Sequence, residues 1–332
     1  MHTNRDGSVP AKCLNEGRRP DGSHRWVQPV IFVLTLTVVF TVIAVGTKRL
    51  AGAAAANPTV GGCGVFPSDN PWNRPITSLP VHKDSKPWLA SVKAGSATLH
   101  PDFGSDPSIG IPFTVVPAGQ AGVSVRFDEA PDESDSGPYP IPARAPIEAG
   151  SDRHVLVIQR LTCRLYELFN ARRSGSGWLA GAGAMFNLRS NAVRPRGWTS
   201  ADAAGLPIFP GLVRYDEVSD GVIRHALRVT FPATQEGFIF PARHFAGTDD
   251  ASLPPMGARM RLRADVDLSR YTGQARVILQ AMQTYGLIVA DNGSGWFVSG
   301  SPDRRWKDDD LRQMKLVDTS MFEFVDSGPI ER

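Results

Sequence analysis

A mainly β fold, an antiparallel β-sandwich or jelly-roll-like body with one or two helices in its C-terminal part, is predicted for residues 63–332. Three observations predict it. Short runs rich in Val, Ile, Leu and Phe alternate with turn residues along this part of the chain. The prolines are unevenly spread, 15 between positions 57 and 150 and 9 between 151 and 332, so the first stretch is cut into extended pieces and loops. Only one long segment, 273–285, has helical periodicity, which argues against a doubly wound α/β fold.

Taken in order, the proline-rich stretch 63–150 holds extended pieces at 111–116 and 123–127, then an acidic loop at 128–142 (DEAPDESDSGPYPIP). It is expected to wrap a core formed by 151–332. In that core, 154–160 (HVLVIQR) and 164–170 (RLYELFN) flank Leu161-Thr162 and read as a hairpin. Centring the pair there sets His154 opposite Phe169 and Leu156 opposite Glu167, with all four side chains on one face. A second hairpin is predicted from 212–218 and 222–231, turned by Ser219-Asp220-Gly221. Its second strand puts Ile223, His225, Leu227, Val229 and Phe231 on one face and Arg224 and Arg228 on the other. Thr272 is placed to cap a helix over 273–285, with Ile278, Met282 and Tyr285 in one stripe and Gly286 as its stop. Segments 287–290 and 296–299 flank DNGSG and predict a third hairpin. A short helix near 308–315 and a strand at 321–325 complete the chain.

Ahead of this body lies an uncharged apolar run of twenty residues, 27–46, flanked by Arg25 and by Lys48-Arg49. At about 30 Å of helix it is long enough to cross a bilayer, either as a signal anchor or as a long export signal. Residues 1–26 then form a cytoplasmic tail, 47–62 an Ala/Gly linker and 63–332 a single extracytoplasmic domain. Two localisations follow: a single-pass membrane protein with its C-terminal domain outside the cytoplasm, or a secreted protein released by cleavage near Ala56. Residues 1–56 hold 7 of the 36 Lys and Arg and 3 of the 33 Asp and Glu, leaving 29 basic and 30 acidic residues. The exported part is nearly neutral, and nucleic acid is not an expected partner. Cys13 falls on the cytoplasmic side, and Cys63 with Cys163 is expected to form a disulfide closing a loop of about 100 residues. The rival reading of Val60-Gly61-Gly62-Cys63 as a lipidation site is weakened by its distance from the apolar run.

Motifs for zinc peptidases, nucleotide binding and α/β-hydrolases are absent, and no cofactor is expected. Segment 132–137 resembles the opening of a calcium loop but has Ala143 where the closing glutamate belongs. Candidate chemistry rests on polar groups in apolar strands. Glu167 lies between Tyr166 and Leu168, on the face of His154, where burial would raise its pKa as a general acid requires. His225 sits among aliphatic residues, with Asp216 or Tyr215 placed to orient it. Arg243 and His244 leave a short strand, and Asp291 with Asn292 emerges beside Trp296. Trp306 extends that surface, and aspartate beside exposed indole suits a sugar.

Residues 285–306 (YGLIVADNGSGWFVSGSPDRRW), with Asp152-Arg153-His154 and Leu165-Tyr166-Glu167-Leu168, resemble a family of uncharacterised secreted bacterial proteins. The resemblance runs from Asn70-Pro71-Trp72-Asn73 to the C-terminus. It implies no activity, and no functional residue is carried over from it.

The leading expectation is an exported glycoside hydrolase acting on cell-envelope or environmental polysaccharide. Its catalytic candidates are Glu167, His154, Asp216, His225, His244 and Asp291, with Glu217 a competitor, and its substrate-binding candidates are Tyr166, Arg243, Asn292, Trp296 and Trp306. A polysaccharide lyase using His, Tyr and Arg is the alternative enzyme. A scattered metal site from His154, His225 and His244 is a third reading, and a non-catalytic module binding envelope glycan or protein is the non-enzymatic one.

Overall fold

Two mixed sheets carry the architecture of residues 57–332, which are the residues the computed structural model describes. Their ten strands are β1 (His100–Asp102), β2 (Phe113–Val116), β3 (Val155–Gln159), β4 (Arg164–Phe169), β5 (Ala182–Asn187), β6 (Leu227–Phe231), β7 (Arg259–Leu262), β8 (Leu287–Asn292), β9 (Phe297–Ser299) and β10 (Phe322–Val325). The four-stranded sheet has the order β5-β4-β3-β2, and the six-stranded sheet β10-β7-β8-β6-β9-β1. The proline-rich stretch thus supplies the edge strand β2 to one sheet and β1 to the other. A three-stranded ribbon (Val125–Phe127, Arg172–Ser174, Gly177–Ala180) flanks them.

The protein is mainly β, and the β3–β4 hairpin has the predicted register, Leu156 opposite Glu167 and Val155 opposite Leu168. Strict antiparallel pairing is corrected: β2–β3, β6–β8 and β9–β1 are parallel. Parallel partners are distant in sequence, and no local turn announces them. The second predicted hairpin does not form. Ser85–Ser91 forms the first helix, α1; Tyr215–Ser219 is a helical turn, α2, and β6 begins only at Leu227. The third does not form either, because β6 lies between β8 and β9. The connecting loop bonds to the end of β6 instead, Gly293 N–H to Phe231 O at 2.9 Å and Trp296 N–H to Thr230 O at 3.1 Å.

The helix predicted from Thr272 is present as α3 (Gly273–Thr284), burying Ala275, Ile278, Leu279, Ala281 and Met282. Its start is satisfied from outside: Gln274 N–H donates to Asp310 Oδ2 at 3.1 Å, and the Thr272 side chain makes no cap bond. Side chains from both large sheets enter one core, together with Ile208, Phe209 and Leu212 of the intervening segment. A smaller core under the ribbon centres on Tyr139, Tyr166 and Trp178.

Cys63 and Cys163 form the expected disulfide, tying the first described segment to the β3–β4 turn. Thr59–Val60 already pairs with Cys63–Gly64, so the last residues assigned to the linker belong to the folded body. The apolar run 27–46, the tail 1–26 and the cleavage segment near Ala56 lie outside the described residues. Among the described residues no helix is long and apolar enough to cross a membrane.

Candidate functional site

A β-bulge builds the site. Between β6 and β8 the register runs Val229 opposite Val289 and then Thr230 opposite Asp291, so Ala290 is the extra residue. Its freed carbonyl accepts the Ala204 N–H at 3.1 Å, which draws residues 200–205 against the strand end. Bulges re-aim the side chains that follow them. Here the consequence is that Asp291 and Asp202 meet around one guanidinium, that of Arg228.

Arg228, at 4% exposure, spends all three nitrogens. Nε and Nη2 donate to the two oxygens of buried Asp202 at 3.0 Å each, Nη1 donates to Ser299 Oγ at 2.7 Å, and Nη2 also reaches Asp291 Oδ2 at 3.1 Å. Such a fork on a carboxylate is strong and directional. Asp291 receives only the remaining share. Burial and then the charge of Asp202 push its pKa up to about 7, against the pull of Arg228. With both Asp202 oxygens held by the fork, the repulsion between the two carboxyls is relieved by a proton on Asp291.

Asp291 opens onto a cleft of about 350 Å³ whose polar walls also include Asp102, Glu148, Asp152, His154 and Asn292. Asp102, at the end of β1, makes no side-chain hydrogen bond among the described residues. Burial, followed by the charges of Glu148 and Asp152, raises its pKa and makes it a better proton acceptor than an ordinary aspartate. His154 is differently placed. Nδ1 lies 2.6 Å from Glu148 Oε2 and Nε2 3.0 Å from Ala201 O, so both ring nitrogens face acceptors and the ring fits as an imidazolium. Burial opposes that charge, yet the bond to Glu148 outweighs it and raises the His154 pKa, while Glu148 is held below the usual range against its own burial. His154 is therefore no free base. It anchors Glu148 in the wall.

No protein-family model, curated protein or solved structure matches this chain.

Of the predicted residues, the structure brings His154, Asp291 and Asn292 to this cleft. Glu167 is not among its lining. It is fully buried and crosses the core to accept the Ile208 N–H at 2.9 Å and the Phe209 N–H at 2.8 Å. Burial raises its pKa to about 7 against those two donors, and that shift belongs to a structural carboxyl. Asp216 lines a separate hollow of about 450 Å³ with Glu217. The carboxylates there are already paired. Asp216 and Asp303 both bind Arg305, which lies over Tyr215 at 4.1 Å. Glu217 pairs with Arg214 at 2.8 Å and His225 at 3.1 Å. Burial opposes its charge, but those two partners bring its pKa down to about 2. His225 is buried, and its Nδ1 donates to Ala226 O at 2.8 Å, so Glu217 and Arg214 orient it rather than Asp216 or Tyr215.

His244 donates from Nδ1 to Ala203 O at 2.7 Å, and Arg243 Nε to Arg194 O at 3.2 Å; both brace loops. Tyr166 is buried in the smaller core against Tyr139. Trp296 is fully buried with its indole N–H on Val92 O, and Trp306, at 4% exposure, donates to Ser301 O. Neither indole offers a face to a sugar, which corrects their assignment as stacking surfaces. The three histidines of the scattered metal reading sit in three different networks, and among the described residues no three His, Cys, Asp or Glu side chains are grouped to hold a metal ion. Asp102, Glu148, Asp202 and Arg228 were not predicted as site residues. Only Arg228 carried the signal used for Glu167, a charge flanked by apolar strand residues.

Glu167→Gln separates the structural role from a catalytic one. The folded chain holds the Glu167 proton more tightly than the unfolded chain, where glutamate titrates near ~4.3. The stability this gives is complete below that value and is lost as pH rises through about 7. Gln carries no such proton, so urea unfolding should show the wild type losing about 2–4 kcal/mol relative to the variant across that window. Activity per folded molecule should be unchanged.

Proposed function

We propose that the protein is an exported glycan-active hydrolase in which Asp291 is the general acid and Asp102 the general base. The observation that carries the reading is a pair of carboxyls on the walls of one open cleft, one set against the buried Asp202–Arg228 pair and one without a side-chain hydrogen bond among the described residues. Asp291 is crowded by Asp202, which favours a proton on it near neutral pH, whereas Asp102 makes no side-chain hydrogen bond among the described residues. In the reaction, the Asp291 O–H gives its proton to the glycosidic oxygen as the bond from that oxygen to the anomeric carbon breaks. Asp102 takes a proton from the water whose oxygen bonds to that carbon. Arg228 steadies the Asp291 carboxylate left behind, and exchange with solvent restores both groups.

Export is supported by the apolar run 27–46 and by the Cys63–Cys163 disulfide, which suits an oxidising compartment. The lyase alternative is disfavoured on chemical grounds. A uronate carboxylate needs a cation with donors to spare, and Arg228 has four of its five N–H groups engaged and its charge shared by two aspartates, while the rings of His154 and His225 are tied on both sides. Incubating the purified protein with a panel of envelope polysaccharides and measuring new reducing ends tests the reading. Release by the wild type is expected. Tight binding of a polysaccharide without any release would make the protein a binding module and end the hydrolase reading.

A further inference from the structure

Asp291 belongs to the walls of two hollows. One is the polar cleft of about 350 Å³; the other, about 200 Å³, is lined by four alanines and Phe169 together with polar residues that include Glu129, Asp202 and Asp291. Each hollow contains one half-buried phenylalanine. Phe169, the last residue of β4, lies in the smaller, and Phe297, the first residue of β9, in the larger. The Phe297 ring is backed by the His100 ring, stacked at 4.1 Å with 5° between planes. Phe169 is fitted against Gly181, where an added Cβ would come within 2.9 Å of the ring. Both rings are therefore held by packing, and each can accept the C–H face of a sugar.

Charge constrains what fills this space. Asp102, Glu148, Asp152 and Asp291 line the larger hollow, and its two cations, Arg228 and His154, are already paired within the protein. Uronates and sulfated sugars meet net repulsion there. Together the hollows fall in the size range of ligand clefts, ~300–1,000 Å³.

We propose that the site takes an extended, uncharged glycan that spans Asp291, with one ring against Phe297 and another against Phe169, and is cut at an internal linkage. This rests on the hydrolase reading for the cut but not for the binding mode. The polar hollow suits a ring with free hydroxyls, and the alanine-lined hollow suits a less polar ring such as an acylated or deoxy sugar.

The test measures calorimetric binding of cello-, malto- and N-acetylchito-oligosaccharides of increasing length, and of oligogalacturonides, to the full-length Asp291→Asn protein. Affinity for at least one neutral ladder should rise with each added ring until both hollows are filled, and oligogalacturonides should not bind. Phe169→Ala and Phe297→Ala should each weaken the longest oligomers about fivefold to tenfold while leaving single sugars unaffected. Phe169→Leu and Phe297→Leu, which keep apolar packing, should show the same loss in the folded protein. Length-independent binding, no binding of any neutral ladder, preference for oligogalacturonides, or indifference to both phenylalanines would overturn the proposal. Length-dependent binding without cleavage by the wild type would remove the hydrolase reading and leave this one standing. Cleavage that frees only terminal monosaccharides at a length-independent rate would do the reverse.

Discussion

Asp291→Asn should lower glycan cleavage by about 10²–10⁴-fold, the range for loss of a positioned general acid. Asparagine keeps the shape and can still face Arg228, so the fold and the Arg228–Asp202 fork should survive; an unchanged thermal midpoint would confirm that. The pH profile carries the more specific expectation. Asp291 acts as a proton donor, so the wild-type rate should fall as pH rises through about 7. Asp102 acts ionised, so the rate should also fall on the acid side, at a pH above the ordinary aspartate value because burial and the charges of Glu148 and Asp152 raise it. Residual activity in the asparagine variant should lack the limb near 7. A variant as active as the wild type would remove Asp291 from the chemistry.

Removing the disulfide should produce the largest loss of stability. Cys63 and Cys163 are 100 residues apart and both buried, and closing such a loop contributes up to ~4.7 kcal/mol in the chain-entropy model. The bridge fastens the segment bearing β1 and β2 to the β3–β4 turn. Because β1 supplies Asp102 and forms the edge beside β9, loosening that segment should also impair the site. The double variant Cys63→Ala/Cys163→Ala is therefore expected to unfold at a lower denaturant concentration by an amount equivalent to about 3–5 kcal/mol. Cleavage should fall before global unfolding. A change below about 1 kcal/mol would show that the two sheets, not the bridge, hold the proline-rich stretch in place.

Local features of the chain were legible, and features set by distant partners were not. The β3–β4 register follows from alternation about Leu161-Thr162, and α3 from its apolar stripe and the Gly286 stop. The hairpin expected around Ser219-Asp220-Gly221 fails because Arg214, Glu217 and His225 form a buried network that needs Tyr215–Ser219 as a helical turn. Asn292-Gly293 looked like a tight turn, yet its loop crosses the end of β6, an element some sixty residues earlier. The site shows the same division. The rule that a carboxylate among apolar neighbours titrates high marks Glu167 as buried but is silent on what it faces, which is two backbone amides. The same pattern around Arg228 marks an inward charge but does not name Asp202 or Asp291, which only the fold brings to it. Asp102 and Glu148 lie in the proline-rich stretch, where no periodicity marks a side chain as inward; the edge strand β1 brings the first to the cleft and bonds to His154 bring the second.

The Asp291 carboxyl can be observed directly by carbon NMR titration of aspartate-labelled protein, with Asp291→Asn assigning its resonance. The account predicts a midpoint near 7 for this carboxyl, so that it is largely protonated at mildly acid pH. A midpoint in the ordinary aspartate range, near ~3.5, would contradict it, because Asp291 would then have no proton to give.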